Sequence, residues 1–583
     1  MEPNMYDHLM KALAVGYERI VAWADILDRI NVYPVADGDT GRNLVITLSA
    51  LRNTFLDIDL LNREILLSAR GNSGNIAARF LTGLLGCRGI ESLPESAVVG
   101  RNLAYQAVSN PQPGTILSLY DTLVSSLKRT PPEKIGRWVD VVIGDLVETV
   151  RITVNQLPEL RKARVVDAGA LGMLVFLDPL LNVLAGRSVR YSFLMEDLKD
   201  HLILSPTWHE QEYQGYCLDV VLSVEREEQE TMKQIRNVGE SLVAMPERGC
   251  FKVHLHAADR EGARRDLSTL GTILSWTEDD LAEQSFRFNK PKKNQGIHIM
   301  TDAAGSITRD LAQGLGMTLL SSYITVDNFC LLETYMDPSR VFNAMKGGAK
   351  VSTSQASVAE RNECYNNGIK LYNRVLYLCV GSFYTGNYDV AMKWKTENDP
   401  EDRMTIIDTG VASGKLGLIS RETAELSLTV SDPLEVISFA RSAIPRAQEY
   451  IFLDKLGFLA AGGRMSKTGA FFGDVLHIKP IVSPYPDGAR KIGVVRNTRD
   501  QIKFAFGRLE QDLPKHRETT LLLEFTDNRK WLEEEVKPEI EHRFPLGKVI
   551  MQSFSLTSAA HMGPGSWGIA FLTENPEQGN SNV

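Results

Sequence analysis

The densest chemistry in the chain lies in five consecutive residues, Asp37-Gly38-Asp39-Thr40-Gly41, within the stretch 31–43 that reads NVYPVADGDTGRN. Leu44, Leu48, Leu51 and Phe55 follow at helical spacing. A turn that feeds a helix start offers free backbone N–H groups and the positive end of the helix dipole to a phosphate. Magnesium at phosphoryl-transfer sites is held by one or two carboxylates, water and the phosphates. Asp37 and Asp39 are of the type that task needs. The same five residues also make an ordinary surface turn.

A second group is Cys217, in GYC (215–217), with His254 and His256, in FKVHLH (251–256). In a strand the two histidines point to one face. A thiolate and two imidazoles are zinc ligands. Spacing alone favours a half-buried strand with polar-face histidines and a small core cysteine.

A third group is a series of hydroxyl-rich loops. STSQAS (352–357) carries Ser352, Thr353 and Ser354, and GSFYTGN (381–387) carries Ser382 and Thr385. IIDTGVASGKLG (406–417) has the strand, turn and helix-start character of an anion-binding loop. GGRMSK (462–467), HIKPIV (477–482) and AHMGPG (560–565) follow, with Arg464 and His561. Hydroxyls beside Arg464 and His561 could hold a carboxylate or phosphate head group by charge-assisted hydrogen bonds. Each loop taken singly also reads as a turn or a helix cap.

The elements that must position these groups follow from patterning. With 583 residues, several domains with their own cores are expected. The net charge of -9 is spread rather than blocked, so no nucleic-acid partner is indicated. No apolar run is long enough to span a bilayer and no signal-peptide pattern opens the chain, leaving membrane contact peripheral. Six scattered cysteines without a CxxC pair fit a reducing cytoplasm.

Leu9, Leu13, Ile20, Trp23, Leu27 and Ile30 keep a helical period up to Asn31. Helical patterns continue to about residue 185, broken by RGNSG (70–74), NPQPGTIL (110–117) and VDAGALG (166–172). Small loops between helices let a nucleotide's phosphates and base edge approach the backbone. A polar connector over 187–209 precedes a compact segment, and SFRFNKPKKNQG (285–296) reads as an exposed linker. Beyond it, Ile297–Asp302, Val375–Val380, Met404–Asp408, Tyr450–Asp454 and Thr520–Phe525 are runs of the buried-strand type with helices between most of them. That alternation predicts an α/β fold with mainly parallel pairing and ligand-binding loops at strand ends.

In order, NVYPVADGDTG, RGNSG, PGTIL and DAGALG resemble the nucleotide-binding subunit of the dihydroxyacetone kinases, the DhaL-like family, and still more the kinase domain of bacterial fatty acid kinases. The resemblance covers residues 1–195 and implies an all-α, barrel-like bundle using ATP and magnesium. It implies magnesium on Asp37 and Asp39, with Asn31 where the dihydroxyacetone branch has a third aspartate. Thr40, Gly41, Asn43, Asn72 and Ser73 would contact phosphates, and Gly114, Thr115, Asp167 and Gly169 would line the nucleotide. Arg42 stands where a small residue is common, and DAGALG replaces DAGGQG.

Residues 205–285, with GYC, GESLV (239–243) and HLH (254–256), resemble the small α+β middle domain of fatty acid kinases. That resemblance implies a structural zinc on Cys217, His254 and His256, or a dimer-forming role, with no fourth ligand evident. Residues 296–575 resemble the DegV family of fatty-acid-binding proteins, a two-lobed α/β domain. The resemblance implies that Thr353, Ser354 and Thr385 hold the fatty acid carboxylate, with Arg464 and His561 at the tunnel mouth. Ala356 replaces a usual proline, and TGN replaces SGT. Together the three resemblances imply a fused fatty acid kinase, expected as a homodimer, handing acyl phosphate to an acyltransferase of phospholipid synthesis. A kinase for small carbonyl compounds and a non-enzymatic lipid carrier are the alternatives.

Overall fold

The helical period before Asn31 continues without a break as α1 (Pro3–Arg29). Its buried stripe of Leu13, Tyr17, Ile20, Trp23, Ala24 and Leu27 recurs every three or four residues, the spacing of one helix face. The computed structural model describes residues 3–52, 57–129, 135–189, 193–208, 214–225, 227–247, 249–288, 296–455, 457–461, 478–513 and 518–573. These form two compact units, Met1–Lys290 and Pro291–Val583.

In the first unit α1 is followed by α2 (Thr40–Leu48), α3 (Ile58–Ser68), α4 (Gly71–Leu84), α5 (Leu93–Ala107), α6 (Ile116–Arg129), α7 (Ile135–Thr153), α8 (Pro158–Ala163) and α9 (Ala168–Leu184). The bundle is organised on α9, whose residues are almost all buried and which packs along α1 and against α2, α6 and α7. A fully buried ion pair, Arg19 with Asp178, ties α1 to α9, and Asn182 Nδ2 donates to Asp178 Oδ1 at 2.9 Å. Part of the expected 187–209 connector is ordered as a short helix, Phe193–Leu198, followed by a tight turn at Lys199–His201.

The unit ends in an antiparallel sheet of β1 (Tyr216–Ser223), β2 (Glu240–Glu247), β3 (Cys250–Ala257) and β4 (Thr272–Asp280), ordered β2-β3-β1-β4. Strand alternation divides its two faces. Leu218, Val220, Leu222, Val253 and Leu255 pack on Ile235, Ala263 and Leu267 of the sheet's own helices. Cys217, Asp219, Lys252, His254 and His256 occupy the alternate positions, and Cys217 is paired with His256 and Asp219 with His254. This second face meets α4 of the bundle, so Cys217, Asp219, Lys252 and His254 are buried and His256 is partly buried rather than solvated. The β2 edge is joined to the bundle by a bridge between Val108 and Val243 and by Ser109 N donating to Leu242 O at 3.2 Å. The helix Leu281–Phe288 runs into the stretch expected to be linker, of which 289–295 lie outside the described residues.

The second unit contributes β5 (His298–Asp302), β6 (Thr318–Leu320), β7 (Tyr323–Val326), β8 (Phe329–Leu332), β9 (Val351–Ser354), β10 (Val375–Cys379), β11 (Met404–Asp408), β12 (Ala447–Phe452), β13 (Lys479–Tyr485), β14 (Gly488–Val495), β15 (Thr519–Phe525), β16 (Gly547–Ser553) and β17 (Trp567–Leu572). One sheet, β11-β10-β5-β6, is parallel throughout. A small antiparallel sheet runs β8-β7-β9.

The third sheet corrects the expectation of mainly parallel pairing. It runs β14-β13-β12-β17-β15-β16, and of its paired strands among the described residues β15–β16 is parallel and the rest are antiparallel. The apolar runs reflect burial on both faces, which does not fix strand direction. Direction comes from the connections. At β13–β14 the pairing of Tyr485 with Gly488 leaves a two-residue hairpin loop, Pro486-Asp487.

Candidate functional site

The structure brings two of the three chemical groups into one pocket. Asn31, Asp37, Asp39, Thr40, Asn43, Asn72 and Ser73 of the helical bundle line it, together with Cys217, His254 and His256 of the sheet. The cysteine–histidine trio is therefore no separate site remote from the DGDTG turn.

The turn is built by a short hydrogen-bond chain. Thr40 Oγ1 donates to Asn31 Oδ1 at 2.8 Å and lies 3.4 Å from Ser73 Oγ, while Asn31 Nδ2 donates to Asp37 Oδ1. Asn43 N donates to the Asp39 carbonyl at 2.8 Å, the first bond of α2. The α2 N–H groups of Gly41 and Arg42 donate to Asp28 Oδ1, at 2.6 and 3.1 Å. Glycine is needed at 41 because a Cβ would stand 2.2 Å from the Ala24 carbonyl oxygen of α1.

The RGNSG loop starts α4. Gly71 has a φ of +59°, and a Cβ there would meet Asn43 Nδ2 at 2.1 Å, so both conformation and space demand glycine. Its N–H donates to Asp219 Oδ2 at 3.1 Å, and Asn75 Nδ2 donates to Asp219 Oδ1 at 3.2 Å. Asn72 and Ser73 lie in the first turn of this helix.

Gly114, Thr115, Asp167 and Gly169 are not among the pocket-lining residues, and the first three hold loop structure. Asp167 caps α9 by accepting from Ala170 N at 2.7 Å, and burial pushes its carboxyl up to about 7. Gly169 packs close to α4, since a Cβ would come 3.0 Å from Ser73 Oγ. Gly114, at φ +82°, donates its N–H to Ser118 Oγ at 2.9 Å, and Thr115 Oγ1 donates to Gln112 O at 2.8 Å.

Electrostatics in the pocket favour cations. Burial, and then the charge of Asp39, push Asp37 well above the usual carboxylate range, and burial raises Asp39 as well. Two crowded, buried carboxylates of this kind are relieved by a hard divalent ion, so Asp37 and Asp39 fit magnesium. Candidate ligand atoms of Cys217, His254 and His256 lie within 4.8 Å of one another. Burial pushes the Cys217 thiol well up and His256 down to about 3, and His254 Nε2 is buried with no hydrogen-bond partner among the described residues. A sulfur and two imidazoles so placed fit zinc. Asp28, Asp219 and Lys252 were not singled out from the sequence. Asp219 was within reach, because it lies two residues after Cys217 and so shares its strand face.

The third group surrounds a cavity of about 130 Å³ in the second unit. Thr353, Ser354, Thr385 and His561 line it, with Val380, Ile451, Leu459, Val482 and Met562 supplying apolar wall. Thr353 Oγ1 lies 3.3 Å from His561 Nε2. Thr385 Oγ1 accepts from Asn387 N at 3.0 Å, a turn bond that fixes its hydroxyl. Tyr384 OH donates to Tyr485 O at 2.8 Å and accepts from Tyr485 N at 3.0 Å, clamping the loop after β10 to the β13–β14 hairpin. Arg464, with the rest of 462–477, lies outside the described residues. The loop 406–417 receives a carboxyl group of the protein's own. Gly414 N and Lys415 N donate to the Glu449 carboxyl oxygens at 3.1 and 3.0 Å.

Helical bundle, small sheet domain and two-lobed α/β domain define a three-part chain, and the family comparisons divide it in the same way. Residues 34–182 match the DAK2 domain, residues 213–287 the FakA-like middle domain of fatty acid kinases, and residues 296–574 the DegV family. The chain thus carries a DAK2 domain, a FakA-like middle domain and a DegV domain, which match the architecture of fatty acid kinases.

Uncharacterized proteins of Staphylococcus aureus strains USA300 and NCTC 8325 are each 30% identical over 270 residues, covering 41% of this chain. The chain spans about half the length of these curated relatives, 49%. Among solved structures, DegV from Bacillus subtilis, titled a fatty acid binding protein, aligns at 19% identity over 48% of this chain and 100% of its own, with a TM-score of 0.44. A DegV family protein from Thermus thermophilus, titled for fatty acid binding, aligns at 20% identity over the same shares with a TM-score of 0.44. Among the described residues no helix is long and apolar enough to cross a membrane.

Proposed function

We propose that the chain is a self-contained fatty acid kinase, with a kinase domain at 1–195, a middle domain at 205–285 and an acyl-binding domain at 296–575. It transfers the γ-phosphate of ATP to the carboxylate of a fatty acid held by its own DegV domain. The observation that carries this reading is the shared pocket. Asp37, Asp39, Thr40, Asn72 and Ser73 of the DAK2 domain meet Cys217, His254 and His256 of the FakA-like domain there. The same chain goes on to a DegV domain with an apolar, hydroxyl-rimmed cavity.

A carboxylate oxygen of the fatty acid attacks the γ-phosphorus in line. The bond from that phosphorus to the bridging oxygen breaks, and ADP leaves with the electron pair. A carboxylate is already ionised at neutral pH, so no general base is required and catalysis is positioning plus charge stabilisation. Magnesium, when bound, supplies charge neutralisation at the β- and γ-phosphates. Asp37 and Asp39 hold it, with Asn31 orienting Asp37 through its amide. Thr40, Asn43, Asn72 and Ser73 contact phosphate oxygens. Gly114, Thr115, Asp167 and Gly169 shape the nucleotide side. Cys217, His254 and His256 would hold a structural zinc ion in the middle-domain wall of the same pocket.

In the acyl-binding domain, Thr353, Ser354, Thr385 and His561 hold the head group, and His561 and Arg464 stabilise the transferring charge. The enzyme acts in the cytoplasm as a homodimer and passes acyl phosphate to an acyltransferase of phospholipid synthesis. Native mass spectrometry of the purified chain, followed by an ATP-turnover assay with and without added fatty acid, tests the reading. A bound fatty acid and fatty-acid-dependent ADP release are expected. ATP binding without such turnover would point instead to a lipid carrier.

A further inference from the structure

We propose that Asp219, on the middle-domain sheet, is a positioning residue for the phosphate end of the kinase pocket: it fastens the first turn of α4 and ties that turn to the cysteine–histidine cluster through His254. The proposal rests on the kinase reading only for its nucleotide arm.

Asp219 is 6% exposed and does not line the pocket, so it acts through its neighbours. On the bundle side, its two oxygens accept from Gly71 N at 3.1 Å and from Asn75 Nδ2 at 3.2 Å. On the sheet side, Oδ1 lies 3.4 Å from His254 Nδ1 and 3.6 Å from Lys252 Nζ. A single carboxylate therefore joins the residue before Asn72 and Ser73 to the His254 ring, whose Nδ1 also lies 4.0 Å from Cys217 Sγ.

Three features make this link specific. Gly71 sits at φ +59° against Asn43, so the start of α4 has one seat and the Asp219 bond selects it. A carboxylate facing one ring nitrogen of a histidine fixes the ring's orientation and tautomer, leaving the other nitrogen for a metal. Here that other nitrogen, Nε2, is the buried atom without a partner among the described residues. Lys252 balances the buried charge, which a carboxylate in this setting requires. The middle domain thus completes the kinase pocket: without Asp219 the α4 turn and the His254 ring lose a common anchor.

The test uses the full chain and the variant Asp219→Asn. An amide keeps the shape but replaces one acceptor oxygen by an NH2 group, which must then face the donor on Gly71 or those on Asn75 and Lys252. Expected results are backbone hydrogen exchange over residues 70–76 faster by about tenfold, zinc affinity weaker by about tenfold or more, and KM for magnesium ATP higher by about tenfold. The melting temperature should fall as well, because Asp219→Asn leaves the buried Lys252 ammonium unpaired, so KM and zinc affinity rather than stability carry the test. A purely structural residue would lower the melting temperature and the active fraction while leaving KM unchanged. Should Asp219→Asn fail to fold, Asn75→Ala removes one bond without stranding the charge, and roughly threefold faster exchange over 70–76 is expected. Parent-like exchange and zinc retention in Asp219→Asn, or parent-like exchange in Asn75→Ala where the first variant does not fold, overturn the proposal. If the parent neither binds nor turns over ATP, the kinase reading fails, while the exchange and zinc arms still decide the role of Asp219.

Discussion

Asp28 Oδ1 accepts the backbone N–H of Gly41 at 2.6 Å, so an aspartate in the last turn of α1 caps the helix that follows the DGDTG turn. The same oxygen accepts from Arg42 N at 3.1 Å. Removing it with Asp28→Ala strands two N–H groups and is expected to destabilise the first unit by about 1–2 kcal/mol, as loss of a helix cap does. Chemical denaturation checks this. Since α2 carries Thr40 and Asn43, weaker nucleotide binding should accompany the loss.

Gly41→Ala probes the neighbouring contact. The added methyl would stand 2.2 Å from the Ala24 carbonyl, so α2 must move away from α1. Overpacking of this kind costs about 1–3 kcal/mol. The expected signature is a lower denaturation midpoint together with loss of nucleotide binding.

Asp167 predicts a pH dependence. Its carboxyl is raised from 3.8 to about 7 by burial, so between those values the folded state holds a proton that the unfolded state has released. Stability from this group is fully present below pH 3.8 and is lost as pH rises through about 7. Asp167→Asn keeps the cap on Ala170 and cannot titrate. The stability difference, variant minus parent, should therefore grow in the variant's favour from about pH 4 to about pH 8, as measured by urea unfolding across that range.

Loss of the Tyr384 hydroxyl tests the clamp in the second unit. Tyr384→Phe leaves both the N–H and the C=O of Tyr485 without their partner. A cost of about 0.5–1.5 kcal/mol is expected from hydrogen bonds lost at part-buried groups. Thermal unfolding of the full chain reads it as a shift of the DegV-domain transition.

The wall of the acyl cavity offers a separate check. Ala489 lines it, so Ala489→Trp should fill space and reduce co-purifying fatty acid. Thr353→Val removes the hydroxyl beside His561 that is proposed to hold the head group, and affinity should fall about five- to tenfold for one lost hydrogen bond. Native mass spectrometry measures both.

Much of this architecture is legible in local pattern. The helical period over Leu13, Ile20, Trp23 and Leu27 and the apolar runs at 298–302, 375–379, 404–408 and 519–525 form elements close to where patterning puts them. Strand β12 starts at Ala447, ahead of the apolar run at Tyr450, because Gln448 and Glu449 break the run although Glu449 is buried. Contacts between distant segments are not legible. Gly71 and Asp219 are 148 residues apart, and nothing local to either names the other. Likewise, the histidine pair has the pattern of a solvated strand face because the surface that buries it belongs to α4. Strand direction in the third sheet escapes for a related reason: burial writes itself into composition, whereas connectivity is written in turns such as Pro486-Asp487.

The central claim is phosphoryl transfer to a carboxylate, and one measurement reaches it directly. The full chain is loaded with a fatty acid, given magnesium ATP, and quenched with hydroxylamine, which traps acyl phosphate as a hydroxamate. The account predicts hydroxamate from the parent and its loss, by at least about a hundredfold, in Asp39→Ala, which removes a buried carboxylate of the phosphoryl-transfer pocket. Fatty acid retained by both proteins with no hydroxamate from the parent, under conditions where ATP binds, would contradict it.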